Sequence, residues 1–139
     1  MSGILLSFDY GIKNIGVAVG EKQIQSAGEL KPLKARDGVP NWDEVAALLK
    51  EWQPSLCLIG NPLNMDGSAS ELSARARKFA NRLNGRFGVS VEMVDERLST
   101  REAKAEAAER NHRGDYGNNP IDSIAARLIL ESWYNSQPG

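Results

Sequence analysis

The chain is 139 residues long, 25% of its residues are charged, and its formal net charge is -1. This length predicts a single domain, residues 1–139, with a core large enough to fold without disulfides or a structural metal. A chain so close to neutral is not a generally basic nucleic-acid binder, so any nucleic-acid site has to be a local patch of positive charge.

Cysteine use and hydropathy predict the compartment. Cys57 is the only cysteine, so no internal disulfide can form, and the apolar run at residues 56–59 around it predicts a buried thiol in a reducing cytosol. The sequence shows neither a signal peptide nor an apolar run near about 18 residues. We therefore expect a cytoplasmic protein without a membrane segment.

The first elements are predicted to form a three-strand meander. An apolar run at residues 4–8 ends in Asp9 and Gly11, a second β-rich run covers residues 15–20, and residues 24–30 complete the meander. Asp9 therefore lies at a strand end beside a tight turn. A carboxylate there either serves a function, because its desolvation against a sheet needs compensation, or accepts hydrogen bonds from the turn amides.

The middle of the chain predicts a loop, a helix and a strand. Residues 31–40 mix proline, glycine and charge, which is typical of a loop. A helix is predicted over residues 42–52, with Asn41 as its N-cap and Glu44 at capping-box spacing. A buried strand then follows at residues 56–59.

The connection that follows this strand, residues 60–68, is rich in glycine and asparagine. Loops beyond the carboxyl end of a strand in an α/β sheet commonly carry function. The alternative is that these residues are present only for their turn geometry.

A strong helical pattern covers residues 71–87 and carries two stripes. The apolar stripe consists of Leu72, Ala76, Phe79, Leu83 and Phe87. The basic stripe consists of Arg75, Lys78, Arg82 and Arg86. A basic stripe either contacts nucleic-acid phosphates or is simply a solvated face, and its spacing alone leaves both interpretations open.

The next strand is predicted at residues 89–94 and ends in Asp95 and Glu96. Ser99 begins a capping box that opens an alanine-rich helix ending near residue 109. Carboxylates again follow a strand directly.

Residues 110–119 predict a loop, in which the single histidine, His112, is a solvated side chain rather than a general base. Pro120 opens the last helix, with Asp122 in its first turn. The helix dipole favours a carboxylate there whatever its function.

Three acids distant in sequence can converge in this arrangement. If the first, fourth and fifth strands are parallel neighbours, Asp9 and Glu96 lie at one sheet edge, and a final helix packed across the sheet brings Asp122 beside them. Such a cluster repels itself unless a divalent cation binds, and oxygen ligands favour Mg²⁺ or Mn²⁺ over zinc. This chemistry suits hydrolysis of a phosphodiester.

Four segments, residues 9–18, 60–67, 95–100 and 121–126, together resemble the motifs of the YqgF/RuvX family, and the resemblance covers essentially the whole chain. That family has an RNase H-like fold. It is described as Holliday junction resolvase-like nucleases and is assigned to maturation of the 5′ end of pre-16S rRNA. The resemblance implies an α/β domain whose five-stranded mixed sheet, a three-strand meander plus two parallel strands, is flanked by helices.

The resemblance also implies the site. Asp9, Glu96 and Asp122 become the catalytic acids that bind Mg²⁺ or Mn²⁺, with Asp95 a competing candidate for the middle position. The expected nucleic-acid contacts are Lys13, Asn64, Arg75, Lys78, Arg82, Arg86, Arg97 and Arg101. The expected partners are pre-rRNA or branched DNA, and the ribosome or its precursors, bound by a monomer or weak homodimer.

The chain departs from the family pattern at two places. Asn61 stands where the family usually has a leucine, and residues 118–120 read Asn-Asn-Pro where the family usually has a lysine shortly before the last aspartate. Loss of that cation is expected to weaken phosphate binding or product release.

Three other functions are compatible with parts of the sequence. One is a Holliday junction resolvase-like DNase, and another is a ribosome-assembly factor that binds nucleic acid without cutting it. The third is a nucleotide-binding domain, because the Asp-x-Gly after the first strand resembles the phosphate loops of actin-like sugar kinases. That third function is disfavoured, since those folds need two such domains and no Walker Gly-Lys-Ser/Thr follows Gly11.

Overall fold

The computed structural model describes residues 3–62, 70–95 and 121–137, with the backbone alone at residues 121 and 122. Its elements in chain order are β1 (Ile4–Asp9), β2 (Asn14–Glu21), β3 (Gly28–Arg36), β4 (Val39–Pro40), α1 (Trp42–Trp52), β5 (Leu56–Asn61), α2 (Glu71–Phe87), β6 (Val91–Asp95) and α3 (Ile121–Ser136). Among these helices, none is long and apolar enough to cross a membrane.

The strands form one mixed sheet in the order β4-β3-β2-β1-β5-β6. The pairs β1–β2, β2–β3 and β3–β4 are antiparallel, whereas β5 runs parallel to β1 and β6 runs parallel to β5. This confirms the predicted α/β class. It also confirms that the predicted first, fourth and fifth strands, which are β1, β5 and β6 of the structure, are parallel neighbours. The carboxyl ends of β1, β5 and β6 consequently meet at one edge of the sheet.

Helices cover both faces of the sheet, because the strands β1 and β5 are apolar on both sides. The face towards α1 and α2 buries Leu6, Phe8, Tyr10, Ile15, Val17, Val45, Cys57, Ile59, Ala76, Phe79 and Leu83. The face towards α3 buries Leu5, Leu58, Ile129, Leu130, Trp133 and Tyr134. Side chains of consecutive strand residues therefore enter different halves of the core.

The predicted third strand at residues 24–30, followed by a loop at 31–40, was wrong in its bounds. Strand β3 begins at Gly28 and continues to Arg36, through Pro32. The register between β2 and β3 shifts at a bulge between Ile15 and Val17. Lys31 and Pro32 of β3 lie opposite the single residue Gly16 of β2, so Pro32 is part of the bulge, where its missing N–H interrupts no regular ladder hydrogen bond.

The sheet has six strands rather than the predicted five, because β4 pairs with the end of β3. The two strands are joined by Asp37 and Gly38, whose φ angles of 50° and 79° are both left-handed. An Asp-Gly pair with two positive φ angles is the usual sequence of a tight hairpin turn. The last predicted strand, residues 89–94, is also displaced slightly and spans Val91–Asp95.

Helices α1 and α2 have the predicted bounds and caps that explain them. The Asn41 side chain accepts a hydrogen bond from the Asp43 N–H at the start of α1. Helix α2 begins with a capping box between Ser70 and Ser73, and after Phe87 it is capped by Gly88, which has a left-handed φ of 68°. The helix predicted to end near residue 109 and the predicted loop around His112 lie outside the described residues.

Cys57 is fully buried, as predicted, and burial raises the pKa of its thiol to about 12. We expect iodoacetamide at pH 8 to alkylate this thiol only after denaturation, which mass spectrometry would detect. The folded chain keeps this proton above pH 9, where the unfolded chain loses it, so Cys57 makes stability fall as pH rises from about 9 towards 12. Equal alkylation of native and denatured protein would contradict this burial.

Candidate functional site

Asp9 is the last residue of β1, as predicted, and its side chain is half-buried. Alternation along the strand places it on the same face as Leu5 and Ser7. Leu5 packs in the core beneath α3, and the Ser7 hydroxyl donates to the carbonyl of Ala126 in that helix. The Asp9 carboxylate therefore belongs to the face of the sheet that α3 covers.

Glycines flank Asp9 on both neighbouring strands. Asp9 is paired with Gly16 on β2. On β5 the register pairs Phe8 with Ile59, so the following residue, Gly60, lies beside Asp9. Neither neighbour adds a side chain beside the carboxylate, and glycine within a strand often marks a place where a ligand or another backbone comes close.

The orientation of α3 brings its amino-terminal end to this same edge. The Ser7 hydroxyl donates to the Ala126 carbonyl at 2.6 Å, and the Ser123 hydroxyl donates to the Leu30 carbonyl at 2.7 Å. Leu30 pairs with Val17, which in turn pairs with Phe8, the residue before Asp9. The first turn of α3, which contains position 122, thus lies at the level of the end of β1.

An ion pair also holds this part of α3 to the sheet. Arg127 donates to the carboxylate of Glu29 on β3 at 2.9 Å, and both side chains are largely buried. A charge-assisted hydrogen bond of this kind is stronger than a neutral one. Together with the two serine hydroxyls, it fixes α3 relative to β1 and β3 near the candidate site.

Asp95 is the last residue of β6 and pairs with Asn61 at the end of β5. It shares its face with Met93, which packs in the core beneath α1 and α2. Asp95 therefore lies on the face of the sheet opposite to Asp9, two strands and about 10 Å away. The structure brings both strand ends to one edge and places these two residues on opposite faces of the sheet.

Several predicted site residues lie outside the described part of the chain: Asn64, Glu96, Arg97, Arg101 and the side chain of Asp122. Within residues 3–62, 70–95 and 121–137, no three His, Cys, Asp or Glu side chains form a group that could hold a metal ion. The carboxylate set Asp9, Glu96 and Asp122 stays a prediction.

The predicted basic stripe on α2 divides into two parts. Arg75, Lys78 and Arg82 line a groove between α2 and the β3–β4 hairpin. Arg86 instead places its guanidinium 4.5 Å from the ring centre of Trp42, at the start of α1, which is a cation–π contact. Lys13, also predicted to contact nucleic acid, is exposed between β1 and β2.

Tyr10 links the end of β1 to the hairpin, a connection that was not predicted from the sequence. Its hydroxyl donates to the Gly38 carbonyl at 2.8 Å. Burial raises the pKa of Tyr10, an effect that the nearby positive charge of Arg75 partly opposes. The phenol therefore keeps its proton and remains a donor at neutral pH. The available sequence signal was the Asp37-Gly38 pair, which is typical of a hairpin.

Asn61, the departure from the family pattern at the end of β5, lies on the same face as Ile59 and Cys57. Its Oδ1 atom is buried and accepts no hydrogen bond from the residues that the structure describes. Helix α2 covers this face. Asn61, in place of the leucine that is usual in the family, therefore lies on the face of the sheet opposite to Asp9.

The sequence profile of the RuvX family, described as Holliday junction resolvase, matches residues 3–136. The chain belongs to the RuvX family. A relative from Saccharophagus degradans named "Putative pre-16S rRNA nuclease" is 58% identical over 99% of this chain and 96% of its own length. A relative of the same name from Aeromonas salmonicida is 51% identical over 97% of this chain and 96% of its own length.

Solved structures of two resolvases have a similar fold. RuvC of T. thermophilus in complex with a Holliday junction substrate has a TM-score of 0.57 and 16% identity, covering 95% of this chain and 94% of that one. The fowlpox virus Holliday junction resolvase has a TM-score of 0.57 and 21% identity, covering 96% of this chain and 99% of that one. The RuvX-family chain therefore has the RNase H-like fold that its motifs implied.

Proposed function

We propose that this RuvX-family nuclease is a Mg²⁺- or Mn²⁺-dependent hydrolase of phosphodiester bonds that acts in maturation of the 5′ end of pre-16S rRNA. One structural observation supports the site above all. Asp9 ends β1 on the face that α3 covers, has glycine on both sides, and lies at the edge where α3 begins. The relatives named for pre-16S rRNA support the substrate.

The acids that would hold the metal are Asp9, Glu96 and Asp122. Their carboxylate oxygens are the ligands that Mg²⁺ and Mn²⁺ prefer, and the two glycines beside Asp9 add no side chain there. We favour Glu96 over Asp95 as the middle acid, because Asp95 occupies a position on the opposite face of the sheet.

The reaction proposed is addition of water across the scissile P–O bond, which leaves a 5′-phosphate and a 3′-hydroxyl. When bound, the metal supplies positive charge that lowers the pKa of the attacking water and stabilises the leaving oxygen. The acids hold that charge in place. Basic side chains of the chain neutralise and position the phosphates on either side of the scissile bond.

The proposed contacts with the nucleic-acid backbone are Lys13, Asn64, Arg75, Lys78, Arg82, Arg86, Arg97 and Arg101. The groove residues Lys78 and Arg82 are exposed on α2 and are the best-defined members of this set. We propose that the chain folds as one domain and acts in the cytoplasm on ribosome precursors. Trimming one RNA end needs no two-fold symmetry, so a monomer or weak homodimer suffices.

Replacing Lys78 and Arg82 together by glutamine should weaken binding to single-stranded RNA of any sequence. Each lost phosphate contact removes the release of one counterion, so the slope of log K against log salt should become shallower by about 1.4 in total. Fluorescence anisotropy across a range of KCl concentrations measures both quantities.

Arg77→Gln is the control for this pair, because Arg77 is exposed on the same helix but does not line the groove. It removes the same charge from a different face of α2. If Arg77→Gln flattened the salt dependence as much per charge as the double variant, the groove would have no special role in binding.

Substrate preference is tested with a labelled precursor of 16S rRNA and a labelled four-way DNA junction, each with Mg²⁺, Mn²⁺ or a chelator. We expect cleavage of the RNA with either metal and none with the chelator. Cleavage of the junction alone would favour a resolvase-like DNase, which the description of the family profile supports. Binding of RNA without cleavage would instead favour a non-catalytic assembly factor.

The solution mass of the protein bears on the same choice. A resolvase that cuts a two-fold symmetric junction is expected to act as a symmetric dimer. A mass corresponding to a monomer at micromolar concentration agrees with processing of an RNA end, whereas a tight dimer would favour the junction.

A further inference from the structure

The groove between α2 and the β3–β4 hairpin is lined by basic side chains and by a carboxylate of the protein itself. The groove has a volume of about 150 Å³ and is lined by three cationic side chains, namely Arg75, Lys78 and Arg82. Asp37, at the tip of the hairpin, is the one carboxylate that lines it among the residues described. Its Oδ1 atom lies 3.3 Å from the Arg75 guanidinium.

We propose that this groove is a binding site for a phosphodiester of the nucleic-acid backbone, and that the Asp37 carboxylate occupies the phosphate position on Arg75 until the nucleic acid displaces it. The inference rests on the proposed function. It adds that the Asp37 carboxylate competes with the phosphate for Arg75 and so limits the affinity of the groove for nucleic acid.

The charges of the groove fit a phosphate group. The whole chain has a net charge of -1, yet the groove brings together three cations and one carboxylate. The Arg75 guanidinium contacts one oxygen of the Asp37 carboxylate, and a guanidinium can pair with two oxygens of a phosphate. The local positive charge therefore selects an anion, and the one already present is an Asp side chain.

The Asp37 carboxylate is held in place but easily displaced. The hairpin is fixed, because the Gly38 N–H donates to the Ile12 carbonyl at 2.8 Å and Tyr10 donates to the Gly38 carbonyl. The Asp37 side chain itself is 83% exposed, and exposed ion pairs are weak. A phosphate can consequently replace the carboxylate without any movement of the hairpin backbone.

Arg75 has a second anchor that survives loss of the carboxylate. Its guanidinium also donates to the backbone carbonyl of Asp37, at 3.2 Å. Substitution of the Asp37 side chain therefore leaves the guanidinium oriented towards the hairpin while removing the competing negative charge. Asn is suited to this position, because it tolerates the left-handed φ of 50° and Asn-Gly is a favoured hairpin turn.

The test is Asp37→Asn, measured as binding of a fluorescent 12-nucleotide RNA by anisotropy, in chelator and in an Asp9→Asn background so that no cleavage occurs. We expect the affinity to rise about threefold at 100 mM KCl, because the phosphate no longer has to displace a carboxylate from Arg75. Thermal melting checks that the hairpin variant is folded.

Two controls separate a local effect from a general effect of charge. Glu51→Gln removes one negative charge at the far end of α1, and it should change affinity much less than Asp37→Asn. In an Arg75→Gln background, Asp37→Asn should have no more effect than Glu51→Gln. The proposal would be overturned if Asp37→Asn raised the affinity for RNA equally in the Arg75→Gln background. It would also be overturned if Asp37→Asn raised the affinity no more than Glu51→Gln does.

The cleavage assay distinguishes this failure from failure of the proposed function. If the unmodified protein cuts precursor rRNA with Mg²⁺ but Asp37→Asn binds RNA no more tightly, the internal competitor is refuted and the nuclease proposal stands. If the unmodified protein neither cuts nor binds nucleic acid, both proposals fall together.

Discussion

Asp9→Asn should abolish metal-dependent cleavage and leave the protein folded. Asparagine has nearly the same shape as aspartate but lacks the charge that an Mg²⁺ ligand at this position would supply. Because Asp9 is half-buried at a strand end beside two glycines, its replacement creates no cavity and breaks no core packing. We expect kcat/KM for cleavage to fall by about 10³-fold or more, with the melting temperature changed by less than about 3 °C.

Asp43→Asn is the matched control for this substitution. It makes the same chemical change at an exposed position in the first turn of α1, and it should leave cleavage unaffected. Binding of RNA measured in chelator should be similar for both variants and the unmodified protein. Retention of metal-dependent cleavage by Asp9→Asn would end the proposal that this carboxylate is catalytic.

The position of Asp9 could be predicted because its signal is local. An apolar run that stops at a carboxylate and a glycine defines a strand end whatever the rest of the chain does. The face on which Asp9 lies is a different matter. It follows from the register of β1 against β2 and β5 and from the hydroxyl of Ser7 bonded to α3, which are contacts between distant residues.

The errors in the sheet have the same origin. Pro32 and its charged neighbours are typical of a loop, and they are accommodated in β3 because the strand bulges there, with Lys31 and Pro32 opposite Gly16 of β2. Strand β4 has two residues, too few for any period to show. In each case the outcome depended on a partner strand that local propensity does not describe.

Only the α2 side of the groove could be predicted from the sequence, for a related reason. The spacing of Arg75, Lys78 and Arg82 placed three cations on one helix face, as found. The hairpin residue that completes the groove, Asp37, is 38 positions from Arg75 in sequence. Sequence patterns define faces of single elements, whereas which two faces meet is decided by packing of the whole domain.

Gly20→Ala should have the reverse effect of Asp9→Asn, with lower stability and retained activity. Gly20 lies on β2 under the carboxyl-terminal half of α3, and an added Cβ would come closer than 3.0 Å to Leu130, Tyr134 and the Ser26 carbonyl. Overpacking of this kind costs about 2 kcal/mol, which corresponds to a melting temperature lower by about 6 °C. Urea denaturation and thermal melting measure the loss.

Activity should survive in Gly20→Ala because the strained contacts and the candidate site lie at opposite ends of α3. Leu130 and Ser123 are about 10 Å apart along the helix, and the hydroxyls of Ser7 and Ser123 still hold its first turns to the sheet. Cleavage at 20 °C should remain within about threefold of the unmodified protein. Gly28→Ala is the control, because its Cβ would meet only the Val19 carbonyl, at 3.9 Å. Suppose that Gly20→Ala stayed folded but lost cleavage activity as severely as Asp9→Asn. The hydrogen bonds of the Ser7 and Ser123 hydroxyls would then not be sufficient to position α3 at the site.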